Sequence, residues 1–522
     1  MPNHSQTVDE RPILVAQVDT PQDETTGDFY YRTYAPGVAM AQCEGVYVIN
    51  LTNIHRKKEE VMRVADVLVL NNLCDPDLLP IIRERKQRGK STVYELCDDL
   101  DAVPPGSPVY PFYNDPENRL LIKKLAHYCD AMQFSSPELQ RKYGFLNGKS
   151  EVFPNQILEV PPERRYSRRP EVIVGWGGSL GHLDDMARLS QPLIGWIMSR
   201  NDVSLHLMCA DPIWKLFDRL PPERKRWIRT GSLKDYYRFL SSIDIGLAPL
   251  EDTPFNRSRS DIKFLEYAAH GVVPVVQASG PYLSVVKNGV SGLLFNTTEE
   301  LVRILDGLVR DLSMRTRMSI AARDYILRER LQIDHGRDRI GYYLSMLPQS
   351  GPGLTRPNHA TRKFQDLAKI SGAERRGNHL LLASTRFELL VRGGLLASDL
   401  SSPLKASSMF REAIQLEPWS YLPRMFGAYF CGDVIQSFRE AIVRNPLSIK
   451  SRVLLGEEYA KRGDVIKALE CFKAAAETFP EYELPYLKAA ALLKDSGFNR
   501  QGASLVDHAR NLICRKSIDK SP

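Results

Sequence analysis

Two blocks of alternating apolar runs and helical segments constrain the fold of this chain most. In the first block, strands are predicted at residues 13–19, 46–51, 67–70, 92–96, 131–134 and 151–153, with helices such as 76–88 and 117–129 between them. The second block begins at 172–178 and continues through 203–209, 243–250 and 272–276. Strands that alternate with helices predict a parallel sheet covered on both faces, so the sequence predicts two α/β domains.

The last third of the chain changes to helical segments only. Pro446 and Pro480 are 34 residues apart, as are Phe438 and Phe472, and this is the tetratricopeptide period. Pro418 lies only 28 residues before Pro446, so one repeat is predicted to be shortened. A generic helical bundle is the alternative. Stacked helix pairs form a concave surface that suits peptides or protein partners, so the tail is predicted to recruit a partner or acceptor.

Composition sets the predicted domain boundaries. Residues 155–170 are rich in Pro and Arg and predict a hinge, and residues 349–357 read as a linker that would make the tail separable. We therefore predict an N-terminal Rossmann-like domain at 1–160 and a second one at 170–347. A linker at 348–375 and tetratricopeptide-like repeats at 376–515 follow.

Charge and cysteine usage exclude several classes of protein. The 522 residues carry 70 basic and 63 acidic side chains, a net charge of +7, which favours a mixed surface over a nucleic-acid stripe. The eight cysteines form no C-x-x-C pair and no zinc spacing, and no apolar run approaches the roughly 20 residues of a membrane span. We expect a cytoplasmic protein with reduced thiols and no metal, in at most peripheral contact with the inner face of a membrane.

One predicted helix carries a pattern that stability alone does not favour. Ser260 is a candidate N-cap and Gly271 a stop, with Lys263 in the first turn and Glu266 one turn on. A first-turn Lys opposes the helix dipole, whereas it suits a bound phosphate or diphosphate. A Glu beside it can accept hydrogen bonds from vicinal hydroxyls. A solvated Lys/Glu pair on an ordinary helix is the alternative.

Three further segments follow predicted strands, where sheets of this kind bind ligands. Gly177, Gly178, Ser179 and His182 belong to a glycine-rich turn whose N–H groups can approach an anion, although no Lys follows as in a P-loop. Asp98, Asp99 and Asp101 can orient a hydroxyl, act as a base or bind Mg²⁺, and a turn-forming cluster is the alternative. Gly27 and Arg32 lie in the first loop.

The segment Ser260-x-x-Lys263-x-x-Glu266-Tyr267-x-Ala269-x-Gly271 resembles the donor-binding motif of glycosyltransferase family 4. The turn Gly175-Trp176-Gly177-Gly178-Ser179-Leu180-Gly181-His182 resembles the opening of the second domain in the same enzymes. Many members carry two glutamates eight residues apart, of which Glu266 matches the second. The first falls at Ser258, so the chain departs from the pattern and resembles a subset with the loop Asn256-Arg257-Ser258-Arg259-Ser260.

The resemblance implies a GT-B fold, in which two Rossmann-like domains face each other across a cleft, with 1–160 on the acceptor side and 170–347 binding the nucleotide sugar. It implies transfer from a nucleotide-diphosphate sugar to a hydroxyl of a glycan, lipid-linked or protein acceptor, with retained configuration, no metal and no cofactor. The implied site consists of catalytic Asp98, Asp99 and Lys263, an acceptor or diphosphate loop with Gly27 and Arg32, and donor-binding Gly177, Gly178, Ser179, His182, Arg257, Ser260, Lys263 and Glu266. Alternatives are a repeat scaffold with an inactive GT-B part, and an epimerase or hydrolase on the same fold.

Overall fold

The computed structural model of the chain describes residues 12–21, 26–166, 170–347, 359–370, 373–382 and 385–518, with side chains up to 512. The strands are β1 Ile13–Asp19, β2 Val46–Thr52, β3 Val67–Asn71, β4 Ser91–Leu96, β5 Ala131–Phe134, β6 Ser150–Val152, β7 Val172–Gly177, β8 Val203–Met208, β9 Lys225–Ile228, β10 Ile245–Ala248, β11 Val273–Gln277, β12 Leu293–Phe295, β13 Ala373–Arg376 and β14 His379–Leu382.

The α-helices are α1 Ala35–Met40, α2 Lys58–Val64, α3 Leu78–Gln87, α4 Tyr110–Asn114, α5 Pro116–Tyr128, α6 Pro137–Tyr143, α7 Leu183–Met198, α8 Asp211–Lys215, α9 Leu233–Ser242, α10 Pro254–Arg257, α11 Ile262–Ala269, α12 Thr298–Arg310, α13 Leu312–Glu329, α14 Gly336–Leu344, α15 His359–Leu367, α16 Arg386–Asp399, α17 Pro403–Leu416, α18 Leu422–Phe426, α19 Val434–Arg444, α20 Ile449–Lys461, α21 Val465–Thr478, α22 Leu484–Asp495 and α23 Asn499–Ile518. A π-helix, Phe29–Tyr34, follows β1.

Two sheets organise the two α/β domains. The first has the order β13-β14-β2-β1-β3-β4-β5-β6, and only β13 runs antiparallel to its neighbour. The second has the order β12-β11-β10-β7-β8-β9, all parallel, which is the strand order of the Rossmann fold. Their strands are mostly buried apolar runs, as expected of sheets covered on both faces. The predicted fold class, two Rossmann-like domains followed by an all-helical region, is confirmed.

A buried arginine joins the segment between the two domains to the second domain. Arg330, just after α13, donates to both carboxylate oxygens of Asp261 at 2.6 and 3.1 Å and to the Asn155 carbonyl at 2.6 Å. Helix α14 then packs back on the first domain, where Tyr343 donates to Gln133 at 2.8 Å. The second block of sequence therefore ends on the first sheet, and the two domains are tied together at the hinge.

The segment predicted as a linker at 348–375 contains regular structure. Its residues 348–358, which include the predicted 349–357 linker, are among those outside the described ranges, but α15 follows with Phe364 and Leu367 buried. Strands β13 and β14 form a hairpin, and β14 pairs with β2 in parallel, with His379 opposite Val48. The sequence analysis did not predict this hairpin, which extends the first sheet by two strands.

The helical region is built from antiparallel helix pairs. In the pair α16 and α17, the backbone of Gly394 lies against the Phe410 ring, and a Cβ there would stand 2.7 Å from that ring. In the pair α20 and α21, Gly456 lies against Phe472 in the same way, at 2.6 Å. Helix α18 has only five residues, which accounts for the shortened spacing in the sequence. The tetratricopeptide assignment itself stays a prediction.

These helices pack on the first domain. Buried Lys124 of α5 pairs with buried Glu483 before α22, and Asp77 before α3 accepts hydrogen bonds from the Ser448 hydroxyl at 2.8 Å and the Lys450 amide at 3.0 Å. One continuous apolar core runs from β1 into α22. The helical region therefore shares its core with the first domain, and the expectation of a separable tail does not fit this packing.

Candidate functional site

A cavity of about 920 Å³, open to solvent, lies between the two α/β domains at the carboxyl ends of their strands. The first domain contributes Gly27, Asp28, Tyr31, Arg32, Cys97, Asp98, Ser135 and Asn155, and the second contributes His182, Leu250, Arg259, Ser260, Ile262, Lys263, Glu266 and Tyr282. In the second sheet the strand order reverses between β7 and β10. Open sheets of this kind bind ligands at that reversal.

The cavity collects many of the residues that the sequence analysis selected. Those lining it are Gly27, Arg32, Asp98, His182, Ser260, Lys263 and Glu266. Those that do not line it are Asp99, Gly177, Gly178, Ser179 and Arg257. The roles of both groups stay predictions, and the geometry of each decides which chemistry is open to it.

Lys263 and Glu266 form a compact network with a tyrosine of α9. The Lys263 ammonium donates to the Tyr236 hydroxyl at 2.8 Å, lies 4.4 Å from the centre of that ring and is 3.4 Å from Glu266 Oε2. Tyr236 in turn donates to Glu266 Oε2 at 2.9 Å. The pair is therefore not a solvated one: Glu266 is buried and Lys263 is half-buried at the cavity wall.

A tyrosine of the first domain reaches across the cleft to the same carboxylate. Tyr31, in the π-helix, donates to Glu266 Oε1 at 2.9 Å, and its hydroxyl is 2.9 Å from that of Tyr237. Burial and the Glu266 charge raise the pKa of both Tyr31 and Tyr236 well above the usual value, so both remain protonated donors. On the Glu266 carboxylate, Tyr31 thus occupies one lone pair of Oε1 and Tyr236 one lone pair of Oε2. Sequence reasoning missed Tyr31 because nothing local marks a contact across two domains.

Helix α11 begins later than predicted. Ser260 does not cap it, since its hydroxyl instead accepts from Asn155 Nδ2 at 2.9 Å. Asp261 occupies the N-cap but makes no capping hydrogen bond, because Arg330 binds both of its carboxylate oxygens. No side chain therefore caps the start of α11, whose residues Ser260, Ile262 and Lys263 line the cavity, and the start of a helix suits an anion.

Arg259, which the sequence analysis did not select, supplies a second cation to the cavity. It donates to His182 Nε2 at 3.1 Å, and His182 Nδ1 lies 2.8 Å from Asp185 Oδ2. Burial, with the charges of Arg259 and Lys263, lowers the pKa of His182 to about 4, so the imidazole is neutral near pH 7. Arg257, which was selected, is exposed and pairs with Asp252 at 2.6 and 2.7 Å. The two arginines flank buried Ser258, and no local sequence pattern distinguishes the one that lines the cavity.

The acidic cluster after β4 divides into two environments. Asp98 lines the cavity, and burial with the charge of Asp28 raises its pKa to about 6. Asp99 is buried and turned away, accepting from Lys142 and Tyr143 at 2.6 Å each. Asp98 is therefore available to a substrate, whereas Asp99 has a structural environment.

Ser258, where the resembling enzymes carry a glutamate, is not among the residues that line the cavity. Its side chain is 2% exposed, and its hydroxyl lies 3.4 Å from Oδ2 of Asp99 in the first domain and 3.2 Å from the carbonyl of Pro254 in the second. Its own carbonyl accepts from Ser136 at 2.7 Å. Residue 258 thus acts as a contact between the domains.

The glycine-rich turn shapes the site from behind. A Cβ on Gly177 would stand 2.8 Å from the Tyr236 ring, and one on Gly178 would stand 2.6 Å from Trp176. The Gly178 amide donates to Met208 across the sheet, and Ser179 is exposed. Gly177 thus leaves room for the Tyr236 ring that contacts Lys263, and the anion contact expected of the turn stays a prediction.

Arg32 lines the cavity with its charge already compensated. It pairs with buried Glu95 and donates to the Phe153 carbonyl at 2.8 Å and to Asn155 Oδ1 at 2.7 Å. Gly27 is exposed at the cavity wall. Within the described residues no His, Cys, Asp and Glu side chains gather in a group of three or more that could hold a metal.

No protein-family model matches this chain, and no curated protein matches it in sequence. Among solved structures, Anabaena HepE (Alr3699), in complex with UDP and glucose, is 14% identical, with a TM-score of 0.47 over 64% of this chain and 100% of that chain. Sucrose-phosphate synthase from Thermosynechococcus elongatus is 13% identical, with a TM-score of 0.44 over 64% of this chain and 99% of that chain. These likenesses are too distant to assign an activity. In the described part of the chain, no helix has the length and apolar character to span a membrane.

Proposed function

We propose that this chain is a glycosyltransferase that moves a sugar from a nucleotide-diphosphate sugar to a hydroxyl acceptor, with retained configuration and without a metal. The observation that carries the proposal is that positively charged groups of the second domain and a carboxylate of the first domain line the same cleft. Arg259, Lys263 and the start of α11 offer positive charge on the second domain, and Asp98 offers a carboxylate on the first. Two cations and a helix N-terminus match the charge of a diphosphate.

The reaction derives from this arrangement. The bond from the anomeric carbon to the diphosphate breaks, and Arg259 and Lys263 stabilise the charge that develops on the leaving oxygen. The acceptor oxygen forms the new bond on the same face, and its proton passes to the departing diphosphate. Ionised Asp98 accepts a hydrogen bond from the acceptor and orients it, so the protein supplies positioning and charge stabilisation.

Glu266 is assigned to the ribose hydroxyls of the donor. Its carboxylate accepts from Tyr31 and Tyr236. A ribose hydroxyl presents the same donor chemistry as the Tyr31 hydroxyl, so binding exchanges one O–H group for another.

The first test is a thermal-shift screen of UDP-, GDP- and ADP-sugars on the full chain, followed by donor turnover with and without candidate acceptors. Lys263→Ala is expected to lower turnover by roughly 2–4 kcal/mol of transition-state stabilisation. Arg257→Ala, which removes an exposed cation near the cleft but outside it, is the matched control and should turn over the donor like the parent. Equal activity in both variants would remove Lys263 from the site.

The rival proposals predict other outcomes. A scaffold with an inactive cleft, which the departure at Ser258 favours, would bind no nucleotide sugar or bind it without turnover. An epimerase or hydrolase would consume the donor at full rate without acceptor. Activity that survives EDTA supports the metal-independent reaction, whereas loss restored by Mg²⁺ would reassign Asp98 to metal binding.

A further inference from the structure

His182, Asp185 and Arg259 form a hydrogen-bonded chain at the cation side of the cleft. The guanidinium of Arg259 can only donate, so His182 Nε2 must accept at 3.1 Å. The ring proton then resides on Nδ1, where it is directed at Asp185 Oδ2 2.8 Å away. The contact between Arg259 and His182 thus fixes the tautomer of the imidazole.

Asp185, at the far end of this hydrogen-bonded series, is held by a backbone amide just beyond a strand of the second sheet. Asp185 Oδ1 accepts from the Glu251 amide at 2.8 Å, just beyond β10. The Asp185 side chain is 6% exposed and that of His182 15%. The His182 ring also meets Trp176 edge-on at 6.0 Å, and the Arg259 guanidinium lies 5.3 Å from the centre of the Phe255 ring.

We propose that His182 is a positioning residue that holds Arg259 toward the diphosphate of the donor and makes no contact with the donor itself. This inference rests on the proposed function for the identity of the ligand, and it reassigns the donor contact that the sequence predicts for His182. A long arginine side chain loses rotational freedom when it binds an anion. A neutral acceptor that fixes the guanidinium beforehand removes part of that cost.

The charges around His182 agree with this role. Asp185 favours the imidazolium, whereas burial and the cations Arg259 and Lys263 oppose it and keep the pKa at about 4. Between pH 5 and 8 the ring is therefore neutral, and its one proton is held by Asp185. An imidazole in this state has no proton to give to a phosphate.

The test is a double-mutant cycle on the full chain, with inorganic pyrophosphate and UDP-glucose as probes. Arg259→Ala is expected to weaken pyrophosphate binding about 50-fold and His182→Ala about tenfold, as for hydrogen bonds to charged groups. Because His182 acts through Arg259, the double variant should bind like Arg259→Ala alone. His182→Gln, whose amide can accept from Arg259 and donate to Asp185, should bind within about threefold of the parent. Lys263 is not hydrogen-bonded to His182, Asp185 or Arg259. In a second cycle, the effects of His182→Ala and Lys263→Ala on binding should therefore add.

Two further readouts separate positioning from contact. The ratio of His182→Gln to parent affinity should not change between pH 5 and 8, and ¹⁵N spectra should show His182 protonated at Nδ1 only. Additive effects of His182→Ala and Arg259→Ala, or affinity that rises below pH 6.5 in the parent but not in His182→Gln, would overturn the inference. Pyrophosphate binding without nucleotide-sugar binding would refute the proposed function while the cycle still decides the role of His182.

Discussion

Introducing a glutamate at position 258, as in the enzymes that the sequence resembles, is expected to destabilise this protein and not to activate it. Ser258 is buried against Asp99, whose carboxylate oxygen lies 3.4 Å from the serine hydroxyl. A glutamate there would place a second carboxylate beside a buried one, and an uncompensated buried charge costs about 3–5 kcal/mol. Lys142 already pairs with Asp99 at 2.6 Å and cannot neutralise both groups.

Ser258→Gln is the matched control, because it adds the same bulk without the charge. Urea and thermal denaturation should place Ser258→Glu about 3–5 kcal/mol below Ser258→Gln at pH 7. Since the neighbouring carboxylate raises the pKa of the new glutamate, the difference should shrink as the pH falls and the group protonates. It should also shrink in the Asp99→Asn background. Equal stability of the two variants, or a difference that survives Asp99→Asn, would refute the placement of Ser258. Raised donor turnover in Ser258→Glu would show that the side chain reaches the cleft.

Three other outcomes are expected. Burial and the charge of Asp28 raise the pKa of Asp98 to about 6, so the carboxylate is ionised above that pH. The value of kcat/KM should therefore fall as the pH drops through 6, and Asp98→Asn should lose this pH dependence. Tyr31→Phe frees Glu266 Oε1 and should tighten donor binding by about 10- to 100-fold in calorimetry, the worth of one hydrogen bond to a charged group; weaker binding would mean that Tyr31 contacts the donor. Truncation after residue 347 should give insoluble protein in a sedimentation assay, because it strips β14 from β2 and α22 from α5. A soluble, donor-binding fragment would contradict the shared core.

Local patterns were enough to predict the two sheets and part of the cleft. Strand β1 was predicted with its observed bounds and most other strands within two residues, because each is a short apolar run between turn residues. Lys263 and Glu266 could be selected because one turn of a helix fixes their spacing. Strand β9 was missed because its basic residues, such as Arg226, read as a solvated surface.

Features set by distant parts of the chain could not be predicted. The contact from Tyr31 to Glu266 joins residues from two domains, and the pairing of β14 with β2 joins segments more than 300 residues apart. Sequence periodicity carries no information about which edge of which sheet a hairpin will meet. The choice between Arg257 and Arg259 likewise depended on which side of a short loop faces the cleft.

The pairing of β14 with β2 also sets an order for synthesis on the ribosome. Strand β2 emerges early, yet its partner His379–Leu382 is made only after the entire second domain. Domains generally fold as units while the chain grows from its N-terminus, so the nascent first sheet keeps an open edge at β2 throughout this interval. We expect the second domain to complete its fold before the first, and chaperone contacts with the nascent chain to persist until residue 382 has left the exit tunnel.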